Sequence, residues 1–134
     1  MRTLLLAGLL LSALPSFAHE GASGIVKERM DRFKETKEQM KELRGLLKTG
    51  DTAAAGALAG QIAEWARVLP EHFPEDSNPA PSEALDDIWL DWDGFMKVAN
   101  DFQTTAEAMA AQPSMANFKP LGGSCKACHD SYRE

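Results

Sequence analysis

Two cysteines and a histidine stand within five positions near the C-terminus, as Cys125-x-x-Cys128-His129 in the stretch GGSCKACHDSYRE. A disulfide between the two thiols would close a loop with only two residues between its ends and would constrain almost nothing of the unfolded chain. The spacing suits another chemistry, because C-x-x-C-H is the attachment signal for a c-type haem. At 100° per residue the cysteines lie about 60° apart on a helix, close enough to form two thioether bonds along one porphyrin edge. His129, four residues after Cys125, projects about 40° to the other side, where its imidazole can reach iron as an axial ligand. A thioredoxin-type dithiol shares C-x-x-C but needs a strand-helix-strand context that the sequence does not offer. A structural zinc site would need a fourth ligand from His72 or His19, with no second cysteine pair in support.

The motif must ride on a helix, and the hydrophobic periodicity supplies four. The segment after Ser23 places Val26, Met30, Phe33, Met40, Leu43 and Leu47 on one stripe, interrupted only by Lys37, and Lys48 and Gly50 signal its end. Asp51 or Thr52 can cap a second helix carrying Ala55, Leu58, Ile62, Trp65 and Leu69, which Pro70 ends. The proline-rich stretch PEHFPEDSNPAPS reads as a loop. Ser82 is then expected to cap the longest helix, with Leu85, Ile88, Trp92, Phe95, Ala99, Phe102, Ala106 and Met109 on its apolar face. Pro113 and Ser114 break it, and Phe118, Leu121, Cys125, Cys128 and Tyr132 step by three and four along the last helix. Pro120 falls in its first turn if Asn117 is the cap, whereas a helix beginning nearer Ser114 would be kinked. The expected fold class is all-α, an antiparallel four-helix bundle with covalently bound haem c.

Residues 1–18, MRTLLLAGLLLSALPSFA, carry one charge at Arg2, an apolar run from Leu4 to Leu14 and small residues before a cleavage point after Ala18. This reads as an export signal, too short to span a bilayer as a helix. Residues 19–134 then form one domain with one core. Losing Arg2 leaves 13 basic against 20 acidic side chains, so the formal charge moves from -6 to -7. That charge disfavours nucleic acid and anionic membrane as partners. The carboxylates lie mostly on solvated faces and no nucleophile stands beside a base, so the sequence suggests no substrate turnover and no enzyme.

LGGSCKACHDSYRE at the C-terminus, RMDRFK in the first helix, and HFP followed by an IW-containing helix resemble cytochrome c', the class II c-type cytochromes. The resemblance covers nearly the whole chain after the leader. It implies a periplasmic location, one covalent haem c per chain, His129 as proximal iron ligand and a distal face covered by the first helix. It also implies a frequent homodimer formed through the first two helices. In the family, the position four residues after the first-helix arginine lies over the iron. Here the arginine is Arg29 and that position is Phe33, a ring that cannot ligate metal. This arrangement implies five-coordinate, high-spin iron open to nitric oxide or carbon monoxide, without a nearby hydrogen-bond donor to favour dioxygen.

Met30 lies three residues before Phe33 and is the candidate sixth ligand of an alternative, low-spin electron carrier that would exchange electrons with a redox partner protein. Phe33 and Met30 could equally both be core. By the same resemblance Arg29 would contact a haem propionate; its plain role is surface pairing with a glutamate. Arg133 could lie against the proximal imidazole or simply offset the helix dipole. Trp89, Trp92 and Phe95 could touch the porphyrin or belong to the core. Gly56 and Gly60, with Ala53 and Ala57, make a small-residue face that could serve a dimer or internal packing. Gly122 and Gly123 remove side chains near the haem edge. His72 and His19 are expected at the solvent-exposed surface.

Overall fold

A computed structural model describes residues 22–134. The expected leader and His19 lie outside the described residues. Helix α1 (Gly24–Thr49) and α2 (Thr52–Val68) are joined at Gly50, whose φ of 78° closes α1 in the left-handed conformation that glycine adopts without steric cost. Asp51 caps α2 by accepting from the Ala54 N–H at 3.0 Å. At Pro70 the chain tightens into one 3₁₀ turn, Leu69–His72, before entering the loop.

Beyond the loop the structure departs from the sequence reading. The third helical run is broken: α3 (Asp87–Leu90) is a single turn, Asp91 leaves helical geometry, and α4 (Trp92–Ala111) starts afresh. Asp91 accepts from the Gly94 N–H at 3.2 Å and is the real cap of α4. Ser82 is not a cap; its hydroxyl accepts from Arg29 and from the Ala84 N–H. The longest helix is therefore α1. Helix α5 (Met115–Tyr132) begins at Ser114, whose side chain accepts from the Asn117 N–H at 3.2 Å, so Pro120 does lie inside it.

The helices run antiparallel, with α2 packed most extensively on α4, α4 on α5 and α1 on α2. Between α1 and α5 the contact is thin. Leu43, Ile62, Ile88, Phe95, Met109 and Leu121 are the largest side chains wholly withdrawn from solvent. Gly56 faces the Ala110 carbonyl and Pro113 of the same chain, so that part of the small-residue face serves internal packing. Among the described residues no helix is long and apolar enough to cross a membrane.

The C-terminal end of α5 is held at several points. Leu85 N–H donates to the Tyr132 carbonyl and Glu134 N–H to the Glu83 carbonyl, both at 3.0 Å, while the Arg133 guanidinium pairs with the Glu83 carboxylate. The Tyr132 hydroxyl donates to Asp91 at 3.2 Å. Gly94 makes room for this junction, since a Cβ there would stand 2.6 Å from the Tyr132 hydroxyl. Asp91→Ala removes both the α4 cap and the tyrosine's acceptor, and chemical denaturation is expected to show a loss of about 1–2 kcal/mol; an unchanged midpoint would contradict this role.

Candidate haem site

Cys125 and Cys128 lie on the face of α5 that meets the core, each partly buried and neither in a disulfide. The helix repeat that carries Leu121 and Tyr132 inward carries both thiols with them. Ser124, between Leu121 and Cys125, is buried and pins α5 to α4: its hydroxyl donates to the Leu121 carbonyl at 2.8 Å and shares a 3.1 Å hydrogen bond with Thr105. Burial pushes both thiols up, Cys128 to about 11, with the neighbouring Cys125 adding to the effect. At neutral pH both are protonated.

His129 stands at the α5 surface turned toward α1, where its ring meets Phe33 edge to face with centroids 6.3 Å apart. Partial burial, and then the nearby Arg133 charge, lower its pKa against a smaller opposing effect of Asp130, so the imidazole is neutral and able to ligate metal at pH 7. Phe33 is also in contact with Trp65 at 5.7 Å and Phe73 at 6.4 Å. Met30 is half-buried and, unlike Phe33 and Met40, does not pack against the core.

Arg29 is not on the surface, and among the described residues it pairs with no glutamate. It is 2% exposed. Its guanidinium donates to the His72 carbonyl at 3.3 Å, Ser77 Oγ at 3.1 Å and Ser82 Oγ at 2.7 Å, and lies 4.7 Å from the centre of the Phe73 ring. Desolvation lowers its pKa. His72, expected in solvent, is instead mostly enclosed: Nδ1 lies 3.1 Å from the Val68 carbonyl, Nε2 is 3.7 Å from Glu28, and the ring stands against Trp65 at 4.8 Å. Trp89 donates its indole N–H to the carbonyls of Phe73 and Pro74, both at 3.0 Å, so it ties α3 to the loop. The Arg133 head group is engaged by Glu83.

Sequence reasoning missed the polar partners of Arg29 and the role of Trp65. Trp65 is 5% exposed and its Nε1 donor is buried with no hydrogen-bond partner. An orphaned buried donor is costly. Arg29 by contrast is satisfied by the loop, so the indole N–H of Trp65 is the one buried donor of this region left to receive an acceptor oxygen among the described residues. Two partly buried thiols, a neutral imidazole, an apolar ring against it and this unmet indole donor fit a haem with carboxylate tails.

A model of the family described as Cytochrome C' matches residues 24–133. The chain belongs to the cytochrome c' family. It is 32% identical over 121 residues to cytochrome c-556 of Agrobacterium fabrum, covering 84% of this chain and 82% of that one. It is likewise 32% identical over 120 residues to cytochrome c' of Pararhodospirillum photometricum, covering 81% of this chain and 95% of the relative. A variant of cytochrome c' from Rhodopseudomonas palustris has the same fold, with a TM-score of 0.72 at 27% identity over 84% of this chain and 98% of that one. Like its cytochrome c' relatives, this is a haem c protein.

Cys125 and Cys128 are the residues that would hold the haem covalently, and His129 the one that would ligate its iron. Mass spectrometry after acid-acetone extraction is expected to find haem still attached to the wild-type protein and released from a Cys125→Ser/Cys128→Ser variant; haem retained by the double variant would contradict the assignment.

Proposed function

We propose that this cytochrome c' family member is an exported, periplasmic haem protein with five-coordinate high-spin iron that binds nitric oxide or carbon monoxide and exchanges single electrons, without turning over a substrate. The export signal at residues 1–18 and the covalent haem motif support the location. The observation that carries the coordination state is the placement of Phe33, a side chain with no ligating atom, against His129.

Haem, when bound, would supply reversible one-electron chemistry and an open iron position that a diatomic gas could occupy. The protein's part is to decide what reaches that position. Phe33 fills the space opposite His129 with a ring that offers no lone pair, and Trp65 and Phe73 support the ring from behind. Entry of a gas then requires Phe33 to move, so access is a steric matter set by this side chain. Among proteins with this fold, a variant of cytochrome c' from Alcaligenes xylosoxidans is known as a nitric oxide complex. That likeness, at 24% identity, carries the fold, and the gas-binding reading rests on Phe33.

The alternative, a methionine-ligated low-spin carrier, would need Met30 to reach the iron. Met30 is one position beyond Arg29, which the loop fixes through three hydrogen bonds. A one-turn shift of the haem along α1 would meet that anchored side chain, so the alternative is disfavoured.

Stopped-flow absorbance of the ferrous protein is expected to show carbon monoxide binding roughly tenfold or more faster in Phe33→Ala than in wild type, since a blocking ring worth about 1.4 kcal/mol or more has gone. In Met30→Leu the spectrum is expected to stay unchanged. A wild-type spectrum indifferent to both gases, or a ligand-field change in Met30→Leu, would overturn the proposal.

A further inference from the structure

Between Arg67 and Lys97 the chain has no lysine or arginine and eight acidic residues: Glu71, Glu75, Asp76, Glu83, Asp86, Asp87, Asp91 and Asp93. In the fold this acidic segment surrounds apolar side chains that face water. Leu90 on α3 is 83% exposed and Trp92 at the start of α4 is 38% exposed. Leu90 and Trp89 form the floor of a shallow open groove of about 730 Å³ whose edges include Glu75, Asp76 and Asp86. Of the acidic groups, Glu83 is neutralised by Arg133 and Asp91 is occupied by the α4 cap and Tyr132. The rest of the rim faces solvent, with no cation of the segment to answer it.

This is the anatomy of a transient protein interface, an apolar centre within a polar rim. The sign of the rim selects the partner, because an unanswered acidic field attracts a basic surface and repels an acidic one. The place in the fold suggests what such a partner would come for. From Trp92 a series of ring contacts leads inward to the ring placed at the haem site: Trp92 to Phe95 at 5.2 Å, Phe95 to Phe73 at 5.0 Å and Phe73 to Phe33 at 6.4 Å. The same surface is bonded to the last turn of the helix that carries the haem motif, through Leu85 to Tyr132 and Tyr132 to Asp91.

We propose that the face made by α3 and the first turn of α4, centred on Leu90 and Trp92, is the docking surface for a basic redox protein. In the docked pair one electron passes from the reduced haem to an oxidised one-electron centre of the partner, a haem or copper ion, with no bond made or broken. The inference rests on the electron-transfer part of the proposed function and adds the surface and the chemistry of the partner.

A lysine-rich class I cytochrome c, in its ferric form, serves as the probe against the ferrous holoprotein. At low ionic strength the bimolecular oxidation rate, followed by stopped-flow, is expected to fall roughly tenfold or more in Asp87→Lys/Asp93→Lys. It is expected to fall far less in Glu42→Lys/Glu107→Lys, which reverses as much charge toward the far end of the bundle. Calorimetric titration of the ferric holoprotein with the same probe is expected to show roughly fivefold weaker binding for Leu90→Ser, whose side chain is too exposed to matter for folding. Equal losses in the two charge-reversal variants, or unchanged binding by Leu90→Ser, would overturn the surface. The haem reading fails differently, by a holoprotein that lacks covalent haem, so the two failures are distinguishable.

Discussion

The contact of Phe33 with His129 across the thin seam between α1 and α5 is the feature on which the chemistry depends. Elsewhere the bundle is sealed by extensive packing, α2 against α4 and α4 against α5. Along this one seam the Phe33 ring of α1 meets the His129 imidazole of α5, the helix that also carries the two partly buried thiols. A haem tethered to α5 through Cys125 and Cys128 would be held beside this contact. The rest of the structure then divides into what holds α5 in place and what holds Phe33 in place. Ser124 and Thr105 fix the first half of the motif, and the backbone pairing with Glu83 and Leu85 fixes its end.

The opposing wall is held by a buried cation. Arg29, one turn before Phe33, gathers the His72 carbonyl and the hydroxyls of Ser77 and Ser82 around its guanidinium and lies over Phe73. A charge withdrawn from water is expensive unless it is well bonded. Here the acceptors come from three points of one loop, so satisfying the charge also fixes the loop. The loop in turn positions Phe73 and, through the indole of Trp89, α3. Polar bonding at Arg29 and apolar packing at Phe33 are thus two sides of one turn of α1.

Much of this was legible in the sequence, and the gaps have physical causes. The C-x-x-C-H spacing depends only on local helix geometry, so the motif could be placed without tertiary knowledge. The stripes in α1, α2 and α5 held because burial there follows the helical period, as Leu43, Ile62 and Leu121 show. The run from Leu85 to Phe95 misled, because Asp91 sits where the same apolar spacing continues on both sides of a break. What decides the break is a cap, a tyrosine forty-one residues away and a glycine that admits both. Arg29 escaped for a similar reason. An arginine within the charged stretch KERMDR reads as surface until a loop some fifty residues on supplies its acceptors. The start of α5 at Ser114 rather than Asn117 shows a cap outweighing the cost of an internal proline.

The electronic state of the ferric holoprotein tests the central claim most directly, because it reports how many ligands the iron has. With Phe33 opposite His129, absorption and electron paramagnetic resonance spectra at neutral pH should show high-spin, five-coordinate iron. A low-spin spectrum with a methionine-to-iron charge-transfer band would show that a sulfur, not this ring, occupies the distal side.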